Sequence, residues 1–231
     1  MDLSDALAEA FRLLFALDPA LWGIIFVSLK VSLSALLIAA PPAVAIGFFL
    51  ATSAFPGRRL AVIVLQSFLS FPTVVVGLVL YVLLARSGPF GAMGLLYTQE
   101  AMIAGQAIIA FPVLAAFTLA AVQGADRIVR ETALSLGATP TRANFTTLFE
   151  VRFAVMAGLF NGFGRVISEV GCAMMVGGNI AGLTRSIPTA ISLETAKGEF
   201  AQGIALGIVL IVMALIVNAA LNWFQGEGGM K

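Results

Sequence analysis

Five long apolar segments dominate this sequence and limit what it can fold into. Each is longer than the roughly 20 residues that an α-helix needs to cross the hydrocarbon core of a bilayer. Charged residues make up 11% of the chain and hydrophobic residues 60%, whereas about a quarter of a soluble domain is charged. The sequence therefore predicts an all-α integral membrane protein of about five transmembrane helices, built as one domain over residues 21–224. The predicted spans are Leu21–Ser53, Leu60–Ala85, Ala101–Val122, Phe153–Gly177 and Ala201–Phe224.

The segments that flank this domain are short. Residues 1–20 carry apolar residues at helical spacing, with Asp2, Asp5, Glu9 and Arg12 between them. This pattern is typical of an amphipathic helix that lies on the membrane surface. The acidic residues stand where a secretory signal would be positively charged, so no such signal is predicted. Residues 225–231 are predicted to form a cytoplasmic tail.

The placement of Lys and Arg predicts which connections face the cytoplasm, because cytoplasmic loops carry an excess of these residues. The first loop, the third loop and the tail hold seven of them, against four in the N-terminal flank, the second loop and the fourth loop. This bias predicts that the N-terminus lies outside, and that the C-terminus and the third loop, residues 123–152, lie in the cytoplasm. Prolines within the spans predict kinked helices, since neighbouring helices can satisfy the freed backbone groups.

Several function classes are excluded by what the sequence lacks. The chain has no His, which removes His-ligated metal sites and His-based catalytic triads; neither a metal site nor a catalytic set is predicted. The net charge of +1 offers no concentrated basic face for a nucleic acid. No Gly-x-x-x-x-Gly-Lys-[Ser/Thr] loop occurs, so the chain alone lacks the usual P-loop site for ATP hydrolysis.

The third loop is the most informative segment outside the spans. Asp126–Leu136 has apolar residues at helical spacing, and Gly137 follows as a left-handed helix stop. Thr139 is a candidate N-cap with Pro140 at the first position of a second short helix. The segment is therefore predicted to be a helix-turn-helix on the cytoplasmic side.

The segment Glu131–Ala138 resembles the EAA loop of ABC importer permeases, whose pattern is Glu-Ala-Ala, three residues, then Gly. Thr132 replaces the first Ala of that pattern. In the family this loop is the coupling helix region, which inserts into a cleft of the ATPase subunit. A rigid helical unit can transmit motion that a flexible loop would absorb. The residues that the resemblance assigns to ATPase coupling are Glu131, Ala133, Gly137, Ala138, Thr139 and Pro140.

The resemblance extends through nearly the whole chain. Ser28–Ser32, Phe55–Arg59 and Pro72–Gly77 look like segments of molybdate and tungstate permeases, and Gly164–Gly171, Val176–Ile180 and Leu193–Gly198 are most similar to the tungstate branch. The resemblance implies a type I ABC importer permease core that translocates tungstate or a molybdate-like oxyanion across a prokaryotic plasma (inner) membrane.

The same resemblance implies an assembly. The expected partners are a second copy of this chain, two ABC ATPase subunits and an extracytoplasmic oxyanion-binding protein. ATP and Mg would be bound by the ATPase subunits, and this chain is expected to bind no cofactor of its own.

Two ionisable residues inside the fourth predicted span are candidates for the translocation pathway. Arg165 and Glu169 are four residues apart, so a continuous helix would place them on one face at about half the bilayer depth. Ionisable groups there are costly and should face a partner or water. They, with Ser168 and Gly171, are predicted to line the pathway or its gate; an ion pair that only locks helix packing is the alternative.

Two further cations have less specific interpretations. Arg185 in the fourth loop could contact the docked binding protein or the incoming anion, or it could be a solvated loop charge. Lys30, near the outer end of the first span, is expected to extend its amine to the membrane surface.

Two other functions remain open at this stage. A nucleotide-independent channel or secondary anion carrier would explain the spans, but ion-coupled carriers usually bury several carboxylates. An intramembrane enzyme would need a catalytic set, and Glu169 is the only carboxylate well inside a predicted span.

Overall fold

The computed structural model describes residues 18–225 and, before them, residues 8, 11, 12, 15 and 16. Most of the predicted amphipathic segment 1–20 and nearly all of the predicted tail 225–231 lie outside the described residues. Residues 18–225 form ten α-helices and two 3₁₀ turns, with no β-strand among them. The helices are α1 Pro19–Thr52, α2 Arg58–Ser67, α3 Thr73–Leu84, α4 Gln99–Gln123, α5 Arg127–Ser135, α6 Pro140–Glu150, α7 Arg152–Ile167, α8 Gly171–Gly177, α9 Ile187–Lys197 and α10 Phe200–Gln225, and the turns are Phe68–Ser70 and Gly91–Met93.

Three of these helices are long and apolar enough to cross a membrane on their own. They are α1, α4 and the part of α10 from Phe200 to Val217. Asp18 starts α1 by accepting hydrogen bonds from the backbone N–H groups of Ala20 and Leu21, both at 2.9 Å. The all-helical membrane fold predicted from the sequence is confirmed, although two of the five predicted spans are interrupted.

The second predicted span is interrupted at Pro72. α2 and α3 form a candidate crossing only as a bent pair, with an angle of 95° between them. Phe71, just before the proline, has an extended backbone, with φ −70° and ψ 133°. A residue that precedes proline is driven out of the helical region by steric contact with the proline ring. The predicted kink is therefore present here, whereas Pro41, Pro42 and Pro112 lie inside the continuous helices α1 and α4.

The fourth predicted span is interrupted between α7 and α8. The prediction that Arg165 and Glu169 share one continuous helix is therefore wrong, because α7 ends at Ile167 and Glu169 lies in the break. At this point, polar side chains form hydrogen bonds with backbone groups that would otherwise pair with each other in a continuous helix. The Ser168 hydroxyl lies 2.9 Å from the carbonyl oxygen of Gly164 and 3.2 Å from that of Arg165, and Glu169 accepts a hydrogen bond from the backbone of Cys172.

The centre of the bundle is the contact between α1 and α4, which run parallel. Near the start of both helices, the Lys30 amine donates a 2.8 Å hydrogen bond to the Gln99 side chain. Further along, Gly47 lies so close to α4 that a Cβ there would collide with the carbonyl oxygen of Ala115. Small residues allow such backbone approach between membrane helices. This pair positions the other helices, and the helix-turn-helix and the fourth loop lie at its two opposite ends.

Candidate functional site

The helix-turn-helix predicted in the third loop consists of α5 and α6, and the second helix begins at the predicted cap. Asp126 caps α5 by accepting a 2.9 Å hydrogen bond from the backbone N–H of Ile128. Thr139 caps α6, and Pro140 occupies its first turn. The Arg130 guanidinium donates a 3.0 Å hydrogen bond to the Asn144 amide oxygen, which joins the two helices. The unit is therefore fixed at both helix starts and across its middle.

The turn between α5 and α6 depends on Gly137. Its φ is +86°, in the left-handed region that glycine adopts without steric cost. The N–H of Gly137 donates to the carbonyl oxygen of Leu134, and the N–H of Ala138 donates to that of Ala133, both at 3.0 Å. These two bonds are the Schellman pattern that closes the last carbonyl groups of a helix. The predicted stop at Gly137 is confirmed.

The outer surface of this unit is exposed and partly apolar. Leu136, at the tip of the turn, is 83% exposed. A groove of about 690 Å³ lies beside it, lined by Val129, Ala133, Gly137 and Ala138 among others. Glu131, Thr139 and Pro140 are also exposed, while Ala133 and Ala138 are half-buried. The structure therefore brings all six residues of the predicted coupling set together on one small helical unit.

Aromatic contacts fasten this unit to the membrane helices. The Phe145 ring on α6 lies 5.3 Å from the Phe48 ring on α1, measured between centroids. The Arg152 guanidinium lies 4.4 Å from the centroids of both the Phe149 and Phe153 rings, at the junction of α6 and α7. Aromatic pairs and cation–π contacts each add to the apolar burial. These contacts join the unit to α1 and α7.

The second set of predicted residues lies at the break between α7 and α8. The Arg165 guanidinium donates a 3.0 Å hydrogen bond to Glu169, and the other carboxylate oxygen of Glu169 accepts a 3.0 Å bond from the backbone N–H of Cys172. The Glu169 side chain is only 3% exposed, whereas that of Arg165 is 41% exposed. The pair thus has a buried negative partner and an accessible positive one.

A cavity of about 520 Å³ lies between α7 and α10 on the exposed side of Arg165. Asn161, Gly164, Arg165 and Ser168 contribute its α7 wall, and apolar residues of α10 such as Ile211 face them. Arg165 and Ser168 were predicted from the sequence, but Asn161, which lies one helical turn before Arg165, was not. A polar stripe at i, i+4 and i+7 in an apolar span was the signal that could have found it.

Glu169 and Gly171 stand behind this cavity rather than in its wall. A Cβ at Gly171 would lie 2.6 Å from a Val74 methyl group on α3, and one at Gly77 would lie 2.8 Å from the Cα of Cys172 on α8. The two interrupted spans therefore pack directly against each other. A second cavity, of about 50 Å³, is lined by Phe71, Thr73 and Arg165, so Arg165 borders both spaces.

Arg185 lies at the opposite end of the bundle from α5 and α6. It is half-buried, and its Nε atom is buried without a hydrogen-bond partner among the described residues. The loop around it is anchored to α1 and α4. The backbone N–H of Ile187 donates to the Ser28 hydroxyl at 2.6 Å, and the Gln99 amide donates to the carbonyl oxygen of Leu183 at 2.6 Å. No sequence pattern pointed to these anchors, because their partners are far apart in the chain.

Comparison with solved structures defines the class of this fold. The chain superposes on the structure described as an amino acid ABC transporter with histidines, with a TM-score of 0.68 over 93% of this chain and 96% of that chain, at 19% identity. The fold is therefore that of the membrane-spanning core of an ABC transporter. No protein-family model matches the chain.

Comparison with characterised sequences narrows the class further. The tungstate uptake permease TupB of Peptoclostridium acidaminophilum is 38% identical over 227 residues, which cover 96% of this chain and 100% of that protein. A probable anion ABC transporter permease of Haloferax volcanii is 41% identical over 84% of this chain and 85% of its own length. The molybdenum permease ModB of Escherichia coli K12 is 30% identical over 89% of this chain and 93% of its own length. The chain belongs to the family of ABC transporter permeases of the tungstate and molybdate type, as its sequence motifs indicated.

Proposed function

We propose that this chain is the subunit through which an ATP-driven importer moves tungstate, or a closely similar oxyanion such as molybdate, into the cell. The name of the TupB relative supports tungstate as the first candidate, because that similarity covers nearly the whole chain. In this proposal the anion arrives on an extracytoplasmic binding protein. Two copies of the chain form the pathway in a prokaryotic plasma membrane, with the N-terminus outside and the C-terminus in the cytoplasm.

The observation that carries the ATP-driven part of the proposal is the rigid unit of α5 and α6. Its exposed tip at Leu136 and its adjoining groove offer an apolar, concave surface to a partner. The caps and the left-handed Gly137 hold that surface in one shape. In the proposed assembly, each of two ABC ATPase subunits receives one such unit and binds ATP and Mg itself. A movement of the ATPase pair then reaches α7 through Arg152 and its aromatic neighbours.

The pathway part of the proposal rests on the polar face of α7. Asn161 and Arg165 on α7, and Ser168 directly after it, are all exposed among mostly apolar residues. Polar groups at this depth are expensive against lipid and should face water or another protein chain. We place this face along the translocation pathway, at or near the contact with the second copy. Glu169 and Gly171 then support the pathway wall from behind.

A reconstituted complex tests the proposal directly. The chain, its ATPase subunits and its oxyanion-binding protein would be assembled in liposomes. Tungstate is expected to stimulate ATP hydrolysis and to accumulate inside, and sulfate serves as the comparison anion. ATP-independent uptake would favour a channel or secondary carrier instead, and accumulation driven by a different anion would replace the substrate assignment.

A further inference from the structure

We propose that the cavity between α7 and α10 is itself a weak binding site for a tetrahedral oxyanion, with the Arg165 guanidinium as its charged contact. This inference rests on the proposed function, because it names where the transported anion pauses within the membrane. According to this inference, the permease binds the oxygen atoms of the anion and does not act only as a non-selective pore.

The charge distribution around the cavity supports this assignment. Among the described residues that line this cavity, Arg165 is the one ionisable side chain. Its carboxylate partner, Glu169, is absent from that lining and is 3% exposed. An anion in the cavity would therefore lie closer to the cation than to the carboxylate. If the carboxylate also lined the cavity, its negative charge would repel the anion from about the same distance at which the guanidinium attracts it.

The hydrogen-bonding capacity of Arg165 fits the same ligand. A guanidinium carries five N–H donors in a planar fork that matches the oxygen atoms of an oxyanion. The single hydrogen bond described for this side chain runs from Nη1 to Glu169. Asn161 donates one amide hydrogen to the carbonyl oxygen of Ala157 at 2.8 Å, which leaves its second amide hydrogen for a ligand. The α7 wall thus presents several donors to the cavity.

The size of the cavity is adequate. Four oxygen atoms, each counted as one water of about 30 Å³, need about 120 Å³. The cavity measures about 520 Å³, so a partly hydrated oxyanion fits beside α10.

Glu169 gives the site its weakness, which a transport pathway requires. Conduction needs binding that is favourable enough for entry and weak enough for release. Glu169 already compensates the charge of Arg165. A dianion in the cavity therefore gains hydrogen bonds from the guanidinium but only a weak net electrostatic attraction. Removing the negative charge of Glu169 should therefore tighten anion binding, and removing the guanidinium should weaken it. A purely structural ion pair would not produce these opposite changes.

Equilibrium binding of radioactive tungstate to the purified permease and ATPase complex tests this inference. The binding protein is left out, and MgADP fills the nucleotide sites. Relative to the unmodified complex, R165Q should weaken tungstate binding by about tenfold or more, and E169Q should strengthen it several-fold. R165K should recover part of the affinity. R59Q removes an exposed arginine outside the cavity and should bind as the unmodified complex does.

The outcomes separate this inference from the proposed function. If R165Q and R165K both bind tungstate as tightly as the unmodified complex, the anion site is wrong, even where the complete system still imports tungstate. If the unmodified complex imports no oxyanion, the proposed function fails whatever the binding data show. If E169Q does not assemble, as judged by size-exclusion chromatography, the tungstate affinities of R165Q and R165K relative to that of R59Q still test the anion site. A tungstate signal from the ATPase subunits would be equal in all variants.

Discussion

The carboxylate of Glu169 accepts a 3.0 Å hydrogen bond from the backbone N–H of Cys172, across the break between α7 and α8. The same carboxylate holds Arg165 through its other oxygen atom. Glu169 therefore has two separable roles, since one oxygen fixes the start of α8 and the other fixes the guanidinium. The variants of this residue should differ accordingly.

Glu169→Ala should destabilise the protein by about 1–3 kcal/mol, because a buried backbone donor and a guanidinium both lose their acceptor. Glu169→Gln keeps an amide oxygen that can still accept from Cys172, so most of that loss should be avoided. The measurement is the midpoint of heat-induced unfolding in detergent, followed by size-exclusion chromatography. Equal midpoints for the two variants would show that the Cys172 contact contributes nothing.

Gly77→Ala should destabilise the packing of α3 on α8. The new Cβ would lie 2.8 Å from the Cα of Cys172, a backbone atom that cannot move aside cheaply. Overpacking of this kind costs about 1–3 kcal/mol. Gly207→Ala is the matched control, because it also lies in a membrane helix but its Cβ would meet nothing within 4 Å. A Gly77→Ala protein that melts like the Gly207→Ala protein would contradict the close contact.

Gly137→Val should uncouple ATP hydrolysis from transport while leaving the membrane helices folded. Apart from its two chain neighbours, no described residue lies within 4 Å of a Cβ at this position, so the effect comes from the φ of +86°. A left-handed backbone costs a residue with a side chain about 1–2 kcal/mol. The turn should relax and tilt α6 with it. Uptake and anion-stimulated ATPase activity in liposomes are the measurements.

Gly137→Asn supplies the control for that prediction. Asparagine tolerates the left-handed region better than other residues with a side chain, so this variant should keep most of the coupling. If Gly137→Val assembled with the ATPase and transported at the unmodified rate, the turn would have no role in coupling.

Cysteine labelling should place the two ends of the bundle on opposite sides of the membrane. Arg142→Cys on α6 should react with an impermeant reagent only from the cytoplasmic side, and Leu183→Cys in the fourth loop only from outside. Leu183 is 59% exposed, whereas its neighbour Thr184 is 1% exposed and would label poorly. The background is Cys172→Ala, which removes the native thiol. Labelling of both sites from outside would overturn the proposed orientation.

The sequence was most informative where structure is local. The cap at Thr139, the stop at Gly137 and the bend at Pro72 follow from residues within a few positions of each other, and the sequence pattern predicted them. The same reasoning predicted kinks at the other prolines within the spans, yet α1 and α4 continue through theirs. The apolar segments likewise predicted where helices lie. Local patterns do not contain the contacts made between helices, and these were not predicted.

The break at Glu169 shows where such reasoning fails. Apolar residues continue on both sides of it, so hydropathy indicates one uninterrupted span. The interruption depends on Glu169 turning towards Cys172 and on Gly171 fitting against Val74 of another helix. The polar stripe that includes Asn161 was readable in the sequence, but its importance became clear only beside the α10 wall of the cavity.

The adjacent breaks in the second and fourth spans bear on how such a bundle can change shape. A straight helix in lipid resists bending, because bending breaks backbone hydrogen bonds and lipid offers no replacement acceptor or donor. At Phe71–Pro72 and at Ser168–Val170 the ladder is already interrupted in this conformation. The segments on either side can therefore swivel against each other as stiff rods without unwinding. Resistance to that swivel would come from side-chain packing and from the hydrogen bonds that Glu169 makes with Arg165 and Cys172.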